Sequence, residues 1–131
     1  MPNSTLEIRR ASKEDWNAIL SLVQLYPDVL VQEHLPEPDE FFVAEEDGVI
    51  IGCCALEVYS KRLAEIRSLA VAKEYQGKGI GTALIRRCLE AAKEQGVHEV
   101  LTITSALPFF EKRGFGTFRS EKYALLKTLI E

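Results

Sequence analysis

Between Glu74 and Thr82 the chain reads EYQGKGIGT, with Gly77, Gly79 and Gly81 on alternate positions and Gln76 and Lys78 among them. An apolar run precedes this stretch and an amphipathic helical pattern follows it. Strand, glycine-rich turn and helix start together make a physical recipe for holding phosphate. The first turn of a helix leaves backbone N–H groups unpaired. The macrodipole adds partial positive charge there. Glycines let the backbone approach an anion closely and adopt torsions that other residues avoid. Lys78 adds a cation at the mouth, and Arg86 and Arg87 lie further along the helix. Three glycines and a lysine exceed what a simple connector needs.

Two nucleotide-binding patterns are weakened by the spacing. A Walker A loop needs Gly-Lys followed by Ser or Thr, and Lys78 is followed by Gly79. The G-x-G-x-x-G fingerprint would need its third glycine at Thr82 or at Leu84, depending on where the count begins. Other chemistry finds little support. Cys53 and Cys54 lie in an apolar strand-like run, and Cys88 falls on the apolar face of a predicted helix. They read as small buried thiols in a reducing compartment. The two histidines, His34 and His98, have no recognisable spacing to them, and without a CxxC no metal site is expected.

The elements that must position the loop follow from periodicity. STLEIRRA alternates apolar and polar residues and reads as a strand. Ser12 is an N-cap with Asp15 as its capping-box partner, and Trp16, Ile19, Leu20 and Val23 follow at helical spacing. That helix must stop before Pro27. From Asp28 to Asp39 the prolines leave a loop with at most a short helix. Two apolar runs joined at Asp47-Gly48 predict a hairpin, and LAEIRSLAVA predicts a third strand antiparallel to the second. Gly79 to Gln95 predicts a helix stopped by Gly96, and VHEVLTIT predicts a buried strand. LPFFEKRGF predicts a short helix ending at Gly114, and FGTFR and YALLKTLI predict a closing hairpin. The mixture gives an α/β (α+β) fold with a mixed sheet of about seven strands.

Composition bounds the function classes. A chain of 131 residues suits one domain with one core. The net charge of −4 argues against a broad nucleic-acid footprint. No apolar run approaches the ~18–20 residues that span a bilayer. MPNSTLEIRR has no signal-peptide hydrophobic region, so the expected location is cytoplasmic.

The stretch LAVAKEYQGKGIGTALIRRCLEAAKEQG closely resembles the acetyl-CoA-binding motif of the GNAT N-acetyltransferases. That family's signature is Q/R-x-x-G-x-G/A, carried here by Gln76, Gly79 and Gly81. PFFEKRGF resembles the family's later motif, an aromatic pair on a short helix ending in Gly-Phe. The resemblance spans essentially the whole chain and implies one N-acetyltransferase domain over residues 1–131. It implies acetyl transfer from acetyl-CoA to a primary amine, with no metal. Backbone amides from Gly77 through Lys78, Gly79, Ile80 and Gly81 to Thr82 would hold the pyrophosphate, with Gln76 also at the cofactor. The strand before the loop would splay from its parallel neighbour, with Leu69, Ala70 and Val71 bonding the pantetheine arm through their backbone.

The same resemblance assigns roles nearer the reaction. Glu65, in AEIRSLAV, matches a position where several members carry a glutamate base. Read from the residues alone, it is a solvated glutamate pairing with Arg67, which alternation puts on the same face. Many members place a tyrosine, as acid for the departing thiolate, where Phe110 stands; phenylalanine donates no proton. The resemblance still places Phe110 beside the cofactor. Tyr75 and Tyr123 are alternatives by residue type alone.

Within the family the chain is most similar to the short catalytic domain of N-acetylglutamate synthases. The acceptor implied is an amino acid such as glutamate, with Arg67 as the cation that would meet its carboxylate. The larger synthases also carry an amino-acid-kinase-like domain that these residues do not include. The segment from Tyr26 to Phe41 is expected to border the acceptor site. Its acids Asp28, Glu33, Glu37, Asp39 and Glu40 suit a cationic amine equally, so polyamines and protein N-termini stay open. A module that binds acetyl-CoA or CoA with little catalysis stays open too. The apolar final strand, near an edge, and the family's habit make a homodimer plausible.

Overall fold

The computed structural model describes residues 5–116, together with Lys127 and Leu129. Five strands form one sheet in chain order: β1 (Leu6–Arg10), β2 (Phe41–Glu46), β3 (Val49–Val58), β4 (Leu63–Val71) and β5 (Glu99–Leu101). The first four are antiparallel neighbours, and β5 joins β4 in parallel. This is the mixed α/β sheet that the periodicity predicts, with five strands among the described residues rather than seven. The expected closing hairpin falls largely outside those residues, as do Tyr123 and most of the apolar strand behind the homodimer expectation.

Local chemistry accounts for the joints. Asp47 and Gly48 have φ of +53° and +86°, the paired left-handed torsions of a tight two-residue hairpin. The Ser12 N–H donates to Asp15 Oδ2 at 2.8 Å, the reciprocal half of a capping box. The first turn it opens, Lys13–Asp15, is 3₁₀, and α1 proper runs Trp16–Gln24. The second helix, α2 (Ile80–Glu94), stops before Gly96 at φ +75°. A short α3 spans Leu107–Glu111.

Each face of the sheet buries one helix. On one side Ile19, Leu22 and Val23 of α1 pack against Phe41, Val43, Cys53, Ala55 and Ala70. On the other, Leu84, Ile85 and Cys88 of α2 pack against Phe42, Cys54, Leu56, Ala64 and Ile66. Gly52 permits the close approach of α2: a Cβ there would meet Leu84 Cδ1 at 3.1 Å and Ile80 Cγ2 at 3.2 Å. Among the described residues no helix is long and apolar enough to cross a membrane.

Two features of β4 shape the site. Ser68 sits at φ +59°, where the register with β3 slips. Before this bulge Ala64 and Ile66 face α2; after it Leu69 and Val71 do, while Ala70 turns to the α1 side. The second feature corrects an expectation. VHEVLTIT predicts a buried strand, but β5 is three residues long and only half-buried. It pairs with Leu63, Ala64 and Glu65 alone, after which the strands part.

Candidate active site

The parting of β4 and β5 opens one side of a cleft. Thr102 Oγ1 donates to the Ile66 carbonyl at 3.1 Å, next to the last backbone pairing. Beyond it, Leu69, Ala70 and Val71 line a cleft of about 370 Å³. The glycine loop closes the same cleft with Gln76, Gly77, Gly79, Ile80, Gly81 and Thr82.

The loop has the geometry of an anion cradle. Gly77 and Gly79 sit at φ +78° and +85°, torsions that an L side chain rarely adopts. Gly79 is the N-cap of α2. The first backbone donor engaged is Ala83 N–H, on the Gly79 carbonyl at 3.0 Å. The N–H groups of Ile80, Gly81 and Thr82 precede it at the open helix end. Gly81 is close to the cleft wall: a Cβ there would meet the Phe109 ring at 3.5 Å. Lys78 is exposed and does not line the cleft; its Nζ lies over the Tyr75 ring, 5.4 Å from the centroid.

The aromatic pair divides differently from the expectation. Phe110 is 5% exposed and sits in the α2-side core, edge-on to Phe109 and Phe115. Phe109 lines the cleft instead. Adjacent residues on a helix point about 100° apart, so only one of the pair can face the opening. Contrary to the expectation for Phe110, it is therefore Phe109 that faces the cleft. Behind that ring, the Arg113 guanidinium stacks 3.7 Å from its centroid. Arg113 Nε also donates to Thr82 Oγ1 at 2.9 Å, tying α3 to the first turn of α2.

Glu65 and Arg67 share one face of β4, as alternation predicts, opposite Ala64 and Ile66. Arg67 Nη1 donates to Glu57 Oε1 at 2.7 Å, and Nη2 donates to the His34 carbonyl at 3.0 Å. Glu65 lies directly across from Glu57 in the register. Arg67 therefore pairs with Glu57, not with Glu65. The Tyr59 hydroxyl donates to Glu65 Oε1 at 2.5 Å.

The segment after α1 is fastened along β4 at two points. One is the bond from Arg67 to His34. The other is Tyr26, whose hydroxyl donates to the Val71 carbonyl and accepts from Gln76 Nε2 at 2.8 Å. Tyr26, Val29 and Leu30 line the cleft beside the glycine loop. Its acids do not converge there. Asp39 and Glu40 line a separate hollow with Arg10, Phe42 and Gln95. The backbone N–H of Glu37 donates to Glu40 Oε1 at 2.7 Å, which caps a local turn.

Sequence reasoning missed Tyr59, Phe109 and Arg113 as site neighbours, and it named Tyr26 only as the start of a bordering segment. Arg113 stands in the quoted EKRGF stretch, but its bond to Thr82 is a long-range contact with no local signal. The cysteines behave as structural thiols. All three are buried, and burial pushes the Cys53 thiol up to about 12. Among the described residues no three of His, Cys, Asp and Glu gather as a metal site.

Comparison with known proteins adds a family. The acetyltransferase (GNAT) family model matches residues 5–115. An uncharacterized N-acetyltransferase of Chlorobaculum tepidum is 35% identical over 129 residues, covering 94% of this chain and 83% of that protein. An amino-acid acetyltransferase of Mycobacterium tuberculosis is 36% identical over 116 residues, covering 82% of this chain and 67% of that protein. Among solved structures, the N-acetylglutamate synthase of Neisseria gonorrhoeae, complexed with coenzyme A and N-acetyl-glutamate, superposes with a TM-score of 0.76 at 26% identity. That match covers 84% of this chain and 28% of the synthase, so the chain spans under a third of the longer relative.

Proposed function

The chain belongs to the GNAT acetyltransferase family, and we propose that this acetyl-CoA-dependent N-acetyltransferase acylates the α-amine of a free amino acid, with glutamate the leading candidate. The observation that carries this reading is the layout of β4. One strand holds a phosphate-type cradle at its C-terminal end and a fixed carboxylate and guanidinium nearer its start. Relatives named amino-acid acetyltransferase, and the N-acetyl-glutamate complex of the similar synthase, support the choice of acceptor.

Each residue then has a task. The N–H groups from Gly77 to Thr82 receive the pyrophosphate, with Gln76 and Lys78 flanking them. Leu69, Ala70 and Val71 line the cleft for the pantetheine arm, with the Val71 carbonyl already accepting from Tyr26 and Gln76, and Phe109 closes the wall. Arg67 uses two of its five donors on Glu57 and His34, which leaves three for an acceptor carboxylate. Most amines are protonated near neutral pH, so a base must remove a proton before attack. Glu65 takes that proton, through one water. The amine nitrogen bonds to the thioester carbonyl carbon, the C–S bond breaks, and the departing thiolate takes a proton from solvent. Phe110 is buried and supplies none.

Of the acids in the Tyr26–Phe41 segment that would favour a cationic acceptor, Asp39 and Glu40 line a separate hollow, and the Glu40 carboxylate accepts from the Glu37 backbone N–H. The test is thiol release from acetyl-CoA with a panel of glutamate, glutamine, spermidine, an aminoglycoside and a peptide N-terminus. Amino-acid-dependent release exceeding that with spermidine is expected. Release with spermidine or the peptide alone would overturn the acceptor, and no amine-dependent release would overturn the proposed transfer.

A further inference from the structure

We infer that Tyr59 is a positioning residue for the acetyl transfer, fixing the Glu65 carboxylate through a chain of contacts that begins on the acceptor-side segment. This inference rests on the reading of Glu65 as the base. The chain of contacts is continuous. The His34 carbonyl accepts from Arg67 Nη2 at 3.0 Å, and Arg67 Nη1 donates to Glu57 Oε1 at 2.7 Å. The Tyr59 hydroxyl lies 3.3 Å from that same Glu57 oxygen and 2.5 Å from Glu65 Oε1.

A cross-strand pair of like charges is unfavourable unless something separates their roles. Glu57 and Glu65 face each other directly. Arg67 neutralises Glu57 with a charge-assisted bond. Tyr59 has a single hydroxyl proton. The shorter contact assigns that proton to Glu65, while Glu57 takes its proton donor from Arg67. The two carboxylates are thus held by different partners, one by a cation and one by a neutral donor. Tyr59 holds Glu65 by Oε1, and Oε2 can accept from an amine or its bridging water.

Tyr59 suits a fixed donor. Partial burial, and after it the bond to Glu65, push its hydroxyl above the ordinary tyrosine range. It therefore keeps its proton through the working pH range of an amine acylation. Tyr59 follows β3 directly, and its backbone N–H is anchored on the Leu63 carbonyl at 3.0 Å across the turn to β4. The donor is tied to the same hairpin that carries both glutamates.

The experiment is a double-mutant cycle on the intact chain with the fastest amine of the panel. Tyr59→Phe, Glu65→Gln and the double variant are compared for kcat and for both KM values. The expected result is that Tyr59→Phe lowers kcat about tenfold and leaves the acetyl-CoA KM in place. In the Glu65→Gln background the same change has no further effect. An unchanged kcat for Tyr59→Phe, or an equal loss in both backgrounds, overturns the inference while leaving Glu65 as base. An unchanged kcat for Glu65→Gln overturns the base assignment and the inference with it. Tyr59 is 52% exposed and Phe keeps the ring, so a matching melting curve for Tyr59→Phe excludes a folding cause.

Discussion

The guanidinium of Arg67 meets one carboxylate and one carbonyl, and neither uses up its fork of donors. Replacing it with Gln removes the charge an anionic acceptor would meet. A charge-assisted hydrogen bond contributes about 1.5–3 kcal/mol. The acceptor KM should therefore rise roughly 10- to 100-fold in Arg67→Gln, with the acetyl-CoA KM nearly unmoved. Initial rates against acceptor at saturating acetyl-CoA check this, and an unchanged acceptor KM would separate Arg67 from the acceptor. Gly79 makes a second case. A Cβ there meets nothing within 4 Å, yet its φ is +85°. The penalty for Gly79→Ala is thus torsional, about 1–2 kcal/mol. The loop can relieve it only by turning its N–H groups away from the cradle. Calorimetric titration should show acetyl-CoA binding weakened about tenfold; wild-type affinity would argue that the cradle does not depend on this torsion.

At the scale of elements, the joint between β1 and α1 carries a partly buried charge network. Arg9 bonds Asp15 at 2.8 Å and Glu45 at 2.8 Å, and Asp15 is 8% exposed. The Arg9 hydrogen bond, foremost, holds the Asp15 carboxyl below the usual carboxylate range. A carboxyl with a lowered folded-state pKa stabilises the protein above its unfolded value of about 3.9 and loses that contribution as pH falls through the folded one. Asp15→Asn should cost about 2 kcal/mol at pH 7 in urea unfolding. The gap from wild type should narrow below about pH 4. A gap that stays constant with pH would contradict the network's role.

Much of this level was legible in the residues. Asp47-Gly48 marked the hairpin, Ser12 and Asp15 marked the helix start, and the glycines marked the turn into α2. Each of these is a local rule, satisfied within four residues. The cleft wall was not legible in the same way. Which of Phe109 and Phe110 turns inward depends on how α3 docks on the core. The partner of Arg67 depends on a cross-strand register, and alternation alone cannot choose between Glu57 and Glu65. The length of β5 was overestimated because apolar character continues past the point where the strands part.

For the whole molecule, the account places two ligands along one strand. In the proposed arrangement the cofactor lies along the C-terminal half of β4 and the start of α2, and the acceptor lies on the face carrying Glu65 and Arg67. The segment after α1 touches both, through Tyr26 at Val71 and through His34 at Arg67. The most direct measurement is the set of backbone amide shifts in a ¹⁵N-labelled sample titrated with acetyl-CoA. The account predicts that the amides of Gly77 to Thr82 move most, followed by those of Leu69 to Val71. Saturation with those amides unmoved, and the largest shifts elsewhere in the chain, would contradict it.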